Sequence, residues 1–160
     1  MTPEQLTTLG AYIATVPAWA ALPNNSDTAY AIAAELNQPA SPAWTVWRTE
    51  LTRKEAQGSG FDWTQVDNLT VGQARIWFDG LFEGGVLNAS EEGQRAGIVE
   101  CWKGTAAKVA VQVFMLGKCK RSAKLGEKVL STGTGSVAAP AVMTHEGDIS
   151  YPDVQAARAL

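Results

Sequence analysis

The sequence predicts a mainly α chain, a compact helical bundle that carries an extended C-terminal arm and a short β-hairpin. Three observations lead there. Apolar residues recur at spacings of three and four over most of residues 1–132, the period of amphipathic helices. Thr, Ser, Asn and Pro stand where helix starts need them, and Gly or Pro where helices should stop. Beyond Gly133 the chain turns small and uncharged ("TGTGSVAAPA"), a composition suited to an extended arm.

The elements follow in order. Thr2 is placed to cap a helix with Pro3 at its first position, and Leu6, Leu9, Ile13 and Val16 form its stripe before Pro17 ends it. Residues 24–39 repeat the plan, with Ser26 or Asp27 as cap and Ala29, Ile32, Ala33 and Leu36 as the buried face. Residues 41–51 read as a helix opened by Ser41-Pro42, which would put Trp44 and Trp47 on one side. Gly58 and Gly60 break the chain, and Phe61 and Trp63 are expected to tuck the loop onto the body. Thr70 opens the helix with the clearest pattern, in which Val71, Ala74, Trp77, Phe78, Leu81 and Phe82 share a face. A further helix begins near Asn88 or Ser90 with the stripe Ala96, Val99 and Trp102.

The segment "TAAKVAVQVFMLGK" fits two periods. Val109, Val111 and Val113 alternate as in a strand, while Ala106, Ala110, Phe114 and Gly117 fit a helix, and the helical neighbours favour helix. Residues 122–133 make one more helix, stopped by Gly133. Glu146-Gly147 then forms the turn of a small hairpin. A last short helix starts at Ser150, in capping-box spacing with Asp153 and with Pro152 in its first turn. The body spans residues 1–132 and the arm, hairpin and terminal helix span residues 133–160.

Composition narrows the function. A chain of 160 residues has room for one ordinary domain. Its net charge of −3 and pI of 5.1 carry no global basic footprint for nucleic acid. Its longest apolar run, residues 108–116, is far below the ~18 residues of a spanning helix, and the N-terminus has no signal-peptide pattern. A soluble protein made in the cytoplasm is expected. Charged residues make up 18%, below the roughly 25% of ordinary domains. With six tryptophans, that points to a chain with permanent neighbours. Cys101 and Cys119, eighteen apart, read as free thiols ahead of a disulfide or metal clip.

No constellation for catalysis emerges, and neither metal nor cofactor is expected. His145 is the one histidine and falls in the hairpin after a mobile arm, so it reads as a strand-face residue. Residues 132–136 lack the Gly-Lys-Ser/Thr ending of a phosphate loop. Glu91 and Glu92 suit a helix start. Lys118, Lys120, Arg121, Lys124 and Lys128 form the one basic cluster, either a solvated corner or a patch for an acidic partner or passing nucleic acid. Trp63, Trp77 and Trp102 read as core, whereas Trp19, Trp44 and Trp47 sit in Pro-rich junctions where an interface role is open.

The stretches "DNLTVGQARIW" and "GEKVLSTGTGSVAAPAVMTHEGDISYPDVQAA" resemble small virion proteins of tailed bacteriophages. The resemblance extends over residues 44–158 and is densest at the C-terminus. His145 stands where that group carries an aromatic and Pro152 where it carries a polar residue. Within the group, the chain is most similar to the head–tail connectors or neck adaptors. That implies a helical bundle docking as a ring beneath the portal, joining capsid to tail, with no catalytic residue. The implied partners are identical subunits, the portal protein and the next neck or tail protein. The implied location is the virion neck, reached from the host cytoplasm.

On this reading the arm's short strands, which have little to bury alone, pair with a neighbouring subunit or the portal. Thr134, Val142, Met143, Thr144, His145, Ile149 and Tyr151 are the candidate contact residues. Lys118, Lys120, Arg121, Lys124 and Lys128 are the candidate channel or portal face, touching DNA without sequence preference. Two other expectations stay open: another station in the virion (tail completion or capsid decoration), and a cytosolic helical binding or regulatory protein with a self-contained C-terminus.

Overall fold

The computed structural model describes residues 1–160 and is mainly α. Its helices are α1 Pro3–Thr15, α2 Pro17–Ala20, α3 Ser26–Leu36, α4 Arg53–Ala56, α5 Val71–Arg75, α6 Glu92–Cys101, α7 Ala106–Lys118, α8 Leu125–Val129 and α9 Tyr151–Ala157. Six strands of two or three residues interrupt them: β1 Thr45–Trp47, β2 Leu51–Thr52, β3 Val86–Leu87, β4 Lys120–Ser122, β5 Ser131–Thr132 and β6 Val142–Met143. The chain forms two compact units. One comprises Met1–Val46 with Ser122–Leu160, and the other Trp47–Arg121. The expected boundary at residue 132 is therefore not where the chain divides.

The first unit is built from both ends of the chain. Thr2 caps α1 by accepting from Gln5 N, and the Thr2 N–H donates in turn to Gln5 Oε1 at 2.8 Å. Leu9 and Ile13 of α1 meet Ile32 and Leu36 of α3 and Val154 and Ala157 of α9 in one cluster. Helix α9 begins at the expected Ser150, with the expected Asp153 partner and Pro in its first turn. A Cβ at Gly10 would lie 2.2 Å from the Ala157 carbonyl oxygen, so only glycine lets α1 and α9 approach this closely.

Residues 133–150 are equally committed. Ile149, 2% exposed, joins the α1/α3/α9 core, and Asn37 at the end of α3 fixes its backbone. The Ile149 N–H donates to Asn37 Oδ1 at 2.8 Å, and Asn37 Nδ2 donates to the Ile149 carbonyl at 2.9 Å. Ala141 forms a parallel bridge with Val46, and its N–H donates to Thr45 O at 2.9 Å. Thr45 N–H donates to Gly135 O at 2.7 Å. Gly135 has φ +63°, and a Cβ there would lie 2.0 Å from the Trp44 ring, so the indole lies flat against bare backbone.

The extended arm awaiting a partner is thus corrected: its backbone pairs within its own chain. The reason lies in residues 41–51, expected as a helix. Thr45, Val46 and Trp47 are aromatic or β-branched and form β1, which supplies the arm with a strand to pair with. The hairpin also moves. β5 pairs antiparallel with β6, with Ser131 opposite Met143 and Thr132 opposite Val142. Glu146-Gly147 is not its turn; Gly147 N–H donates instead to Oε1 of the buried Glu127.

In the second unit, Phe61, Trp77, Leu81, Phe82, Trp102 and Met115 lead the core. Trp77 and Trp102 are fully buried and meet edge to face at 5.1 Å. The helix expected from Thr70 is α5 followed by a widened π turn, Ile76–Gly80, which buries Trp77, Leu81 and Phe82 and leaves Val71 and Phe78 exposed. β2 and β3 pair antiparallel, Leu51 opposite Leu87. Trp63 is 56% exposed rather than core.

Deleting residues 134–160 removes Ile149, Val154 and Ala157 from the first core. Losing a single large buried side chain costs about 2–5 kcal/mol, against a typical stability of about 5–15 kcal/mol. The truncated chain is expected to lose cooperative unfolding of the α1/α3 unit in calorimetry. A full-sized cooperative transition retained after the deletion would contradict this packing.

Candidate functional site

Helix α7 carries the most unusual surface. Thr105 caps it by accepting from Lys108 N, and Val111, Met115 and the buried Lys108 face inward. Lys108 is the one charged residue before Lys118 at its end, and its Nζ donates inward to Gln73 Oε1 at 3.0 Å. The outward side therefore bears Ala106, Val109, Ala110, Val113 and Gly117 with no charge, and Val113 is 65% exposed. A helix apolar on all sides is normally buried on all sides.

Helix α6 extends this surface. Its expected stripe was Ala96, Val99 and Trp102, but Ile98, Cys101 and Trp102 are buried, and Ala96 and Val99 point to solvent. Gln112 Nε2 of α7 donates to the Val99 carbonyl at 3.1 Å, so the two outward faces adjoin. The mixed strand-and-helix pattern of "KVAVQVFML" was the sequence signal of this face: Val111 points inward while Val109 and Val113 point out. A helix with apolar residues on both sides cannot show a clean single-face period.

The candidate arm residues lie together in the first unit, engaged mostly with their own chain. Thr144 N and Oγ1 both donate to Leu130 O, at 2.8 and 2.7 Å. Met143 is buried with Val46 and Ala141, Val142 pairs opposite Thr132, and Tyr151 stacks on Tyr30 at 4.1 Å between ring centroids. Thr134 is exposed, with Oγ1 donating to Ala139 O at 2.9 Å. His145 is half-buried, and its buried Nε2 has no hydrogen-bond partner.

The candidate basic cluster is divided between units. Lys118, Lys120 and Arg121 belong to the second unit, Lys124 and Lys128 to the first. Lys118 Nζ lies 5.2 Å from the Phe114 ring centroid, and Lys120 Nζ lies 5.4 Å from that of Trp47. Arg95, which the sequence did not single out, sits 4.9 Å from the same Trp47 ring. Arg48 pairs with Glu55 at 2.6 Å and, with Thr52, holds that carboxylate down at about 2. In the first unit, Lys124 pairs with Asp148 at 2.5 Å, and Lys128 lies 5.2 Å from the Trp44 ring. These cations therefore have aromatic and acidic neighbours that the sequence did not suggest.

Cys101 and Cys119 are free thiols, both fully buried. Burial pushes Cys101 up to about 12 and Cys119 up to about 11. No group of three or more His, Cys, Asp or Glu residues is placed to hold a metal ion, and no helix is long and apolar enough to cross a membrane. Comparison with protein-family models, curated proteins and solved structures finds no match for this chain.

Because the folded-state thiol values lie above the ordinary 9.0, both thiols stabilise the fold below pH 9 and that contribution is lost as pH rises towards 11–12. The midpoint of thermal unfolding is expected to fall above pH 9, and less steeply in Cys101→Ala. An equally steep fall in that variant would remove the thiol from the account.

Proposed function

We propose that this chain is a structural subunit of a tailed-phage virion, a head–tail connector that docks as a ring beneath the portal and joins capsid to tail. The carrying observation is the uncharged outward face of α7 with Val99 of α6, which one copy of the chain leaves in water. Fully burying a valine contributes about 1.5–3 kcal/mol, so a neighbour covering Val99, Val109 and Val113 gains substantially. The virion assignment rests on the sequence resemblance in residues 67–77 and 126–157. Neighbour contact moves on this reading from the C-terminal arm to the α6/α7 face. Lys118, Lys120 and Arg121 remain the proposed phosphate contacts in the second unit, non-specific and salt-dependent.

A second reading, a cytosolic helical binding protein, draws support from the self-contained C-terminus. Particle incorporation separates the two. Tagged chain supplied to phage particles lacking it is expected to co-purify with them. Val113→Asp should keep the monomer's melting temperature, since exposed substitutions usually stay within about 0.5 kcal/mol, yet lower incorporation at least tenfold. Wild-type chain that stays wholly in the soluble pool would favour the binding-protein reading. Normal incorporation of Val113→Asp would remove the α7 face.

A further inference from the structure

The β5 edge offers a second surface, in the first unit. Thr144 N–H bonds to Leu130 O, and Ser131 stands opposite Met143. In an antiparallel ladder, alternate residues face the partner strand, so Leu130 and Thr132 address β6 while Ser131 turns its N–H and C=O to the other side. Ala141, the residue before β6, is bridged to Val46, and β5 and β6 form a two-stranded sheet with no third strand beyond β5. Beside β5 lie two adjoining grooves of about 320 and 420 Å³, both lined by Thr8, Val129 and Ser131. Helix α1 forms the opposite wall, from Thr2 at one end to Tyr12 at the other.

We propose that this trench accepts an extended segment of another polypeptide, added as a strand to the outer edge of β5. Two features fix the occupant. The outer edge of β5 turns the N–H and C=O of Ser131 outward, one donor and one acceptor that an extended chain can satisfy. The wall from Thr2 to Tyr12 covers ten helical steps of about 1.5 Å, roughly 15 Å. At about 3.3 Å per residue, that accommodates four or five extended residues. The lining adds hydroxyls from Thr8 and Ser131 and the rings of Tyr12 and Trp44, with Glu4 in one groove and Lys128 in the other, which suits an uncharged segment. The chain is then a strand acceptor, the reverse of the donor role its sequence suggested. This inference does not depend on the virion reading, and its test uses the purified chain alone.

The probes are acetyl-TVTVT-amide and acetyl-SASAS-amide, titrated into isotope-labelled chain while amide resonances are followed. Saturable shifts centred on Ser131, Gly133 and the α1 wall are expected with at least one peptide at millimolar concentration. Thr8→Arg fills both grooves from an exposed helix position and should weaken that binding at least fivefold with the rest of the spectrum preserved. Ser131→Pro removes the outer N–H together with the hydroxyl's bonds to Lys128 O and Trp44 Nε1, and should weaken binding further than Ser131→Ala, which loses the hydroxyl bonds alone. Shifts that spare Ser131 and Gly133 with both peptides, or binding unchanged in both Thr8→Arg and Ser131→Pro, would overturn the proposal.

Discussion

Asn37 and the backbone of Ile149, 112 residues apart, exchange two hydrogen bonds, and that clasp sits where the C-terminal segment enters the N-terminal core. Without the segment, α1 and α3 would expose Leu9, Ile13, Ile32 and Leu36 on the side that α9 now covers. With it, both ends of the chain close one unit, and the intervening residues Trp47–Arg121 form another. Several local features serve this return. Gly10 lets α9 approach α1, Trp44 lies against the bare backbone of Gly135, and Glu127 holds the Gly147 amide. Each is a long-range contact, and together they turn a glycine-rich segment into ordered structure.

The consequence for function is a division of surfaces. The first unit uses its C-terminal strands internally and leaves only the outer edge of β5. The second unit gathers six aromatic rings around Phe61 and Trp77, of which Phe61, Trp77, Phe82 and Trp102 are buried. It nevertheless leaves α7 apolar towards solvent. The low charge content, read first as a hint of permanent neighbours, thus acquires an address on α6 and α7. Lys108 reinforces it: the one cation that could have made α7 an ordinary amphipathic helix is turned inward to Gln73.

Much of the fold was legible because helix signals are local. The caps at Thr2, Thr70 and Ser150, the stripes of α1 and α3, and the helical state of α7 all follow from residues within a few positions of one another. The failures share a different cause. Residues 45–47 were misread because their strand state depends on pairing with β4 and on the bridge to Ala141, both more than seventy residues away. That one error also left the arm without a partner and so suggested a donor for another chain. The α6 stripe was misassigned because Ala and Val suit either a core or an interface, and the preference for Ile98 and Cys101 is set by where α7 packs. Of the candidate site, the basic residues were visible as a run, but their division between units and the rings beneath three of them were not.

The central claim is that residues 133–157 are folded onto their own chain. Amide hydrogen exchange on the isolated, monomeric protein tests it most directly. The Ile149 amide bonded to Asn37, the Thr144 amide bonded to Leu130 and the Ala141 amide bonded to Thr45 should exchange as slowly as the amides of α3. Exchange of all three within seconds, while α3 stays protected, would show the segment unpaired and contradict the account.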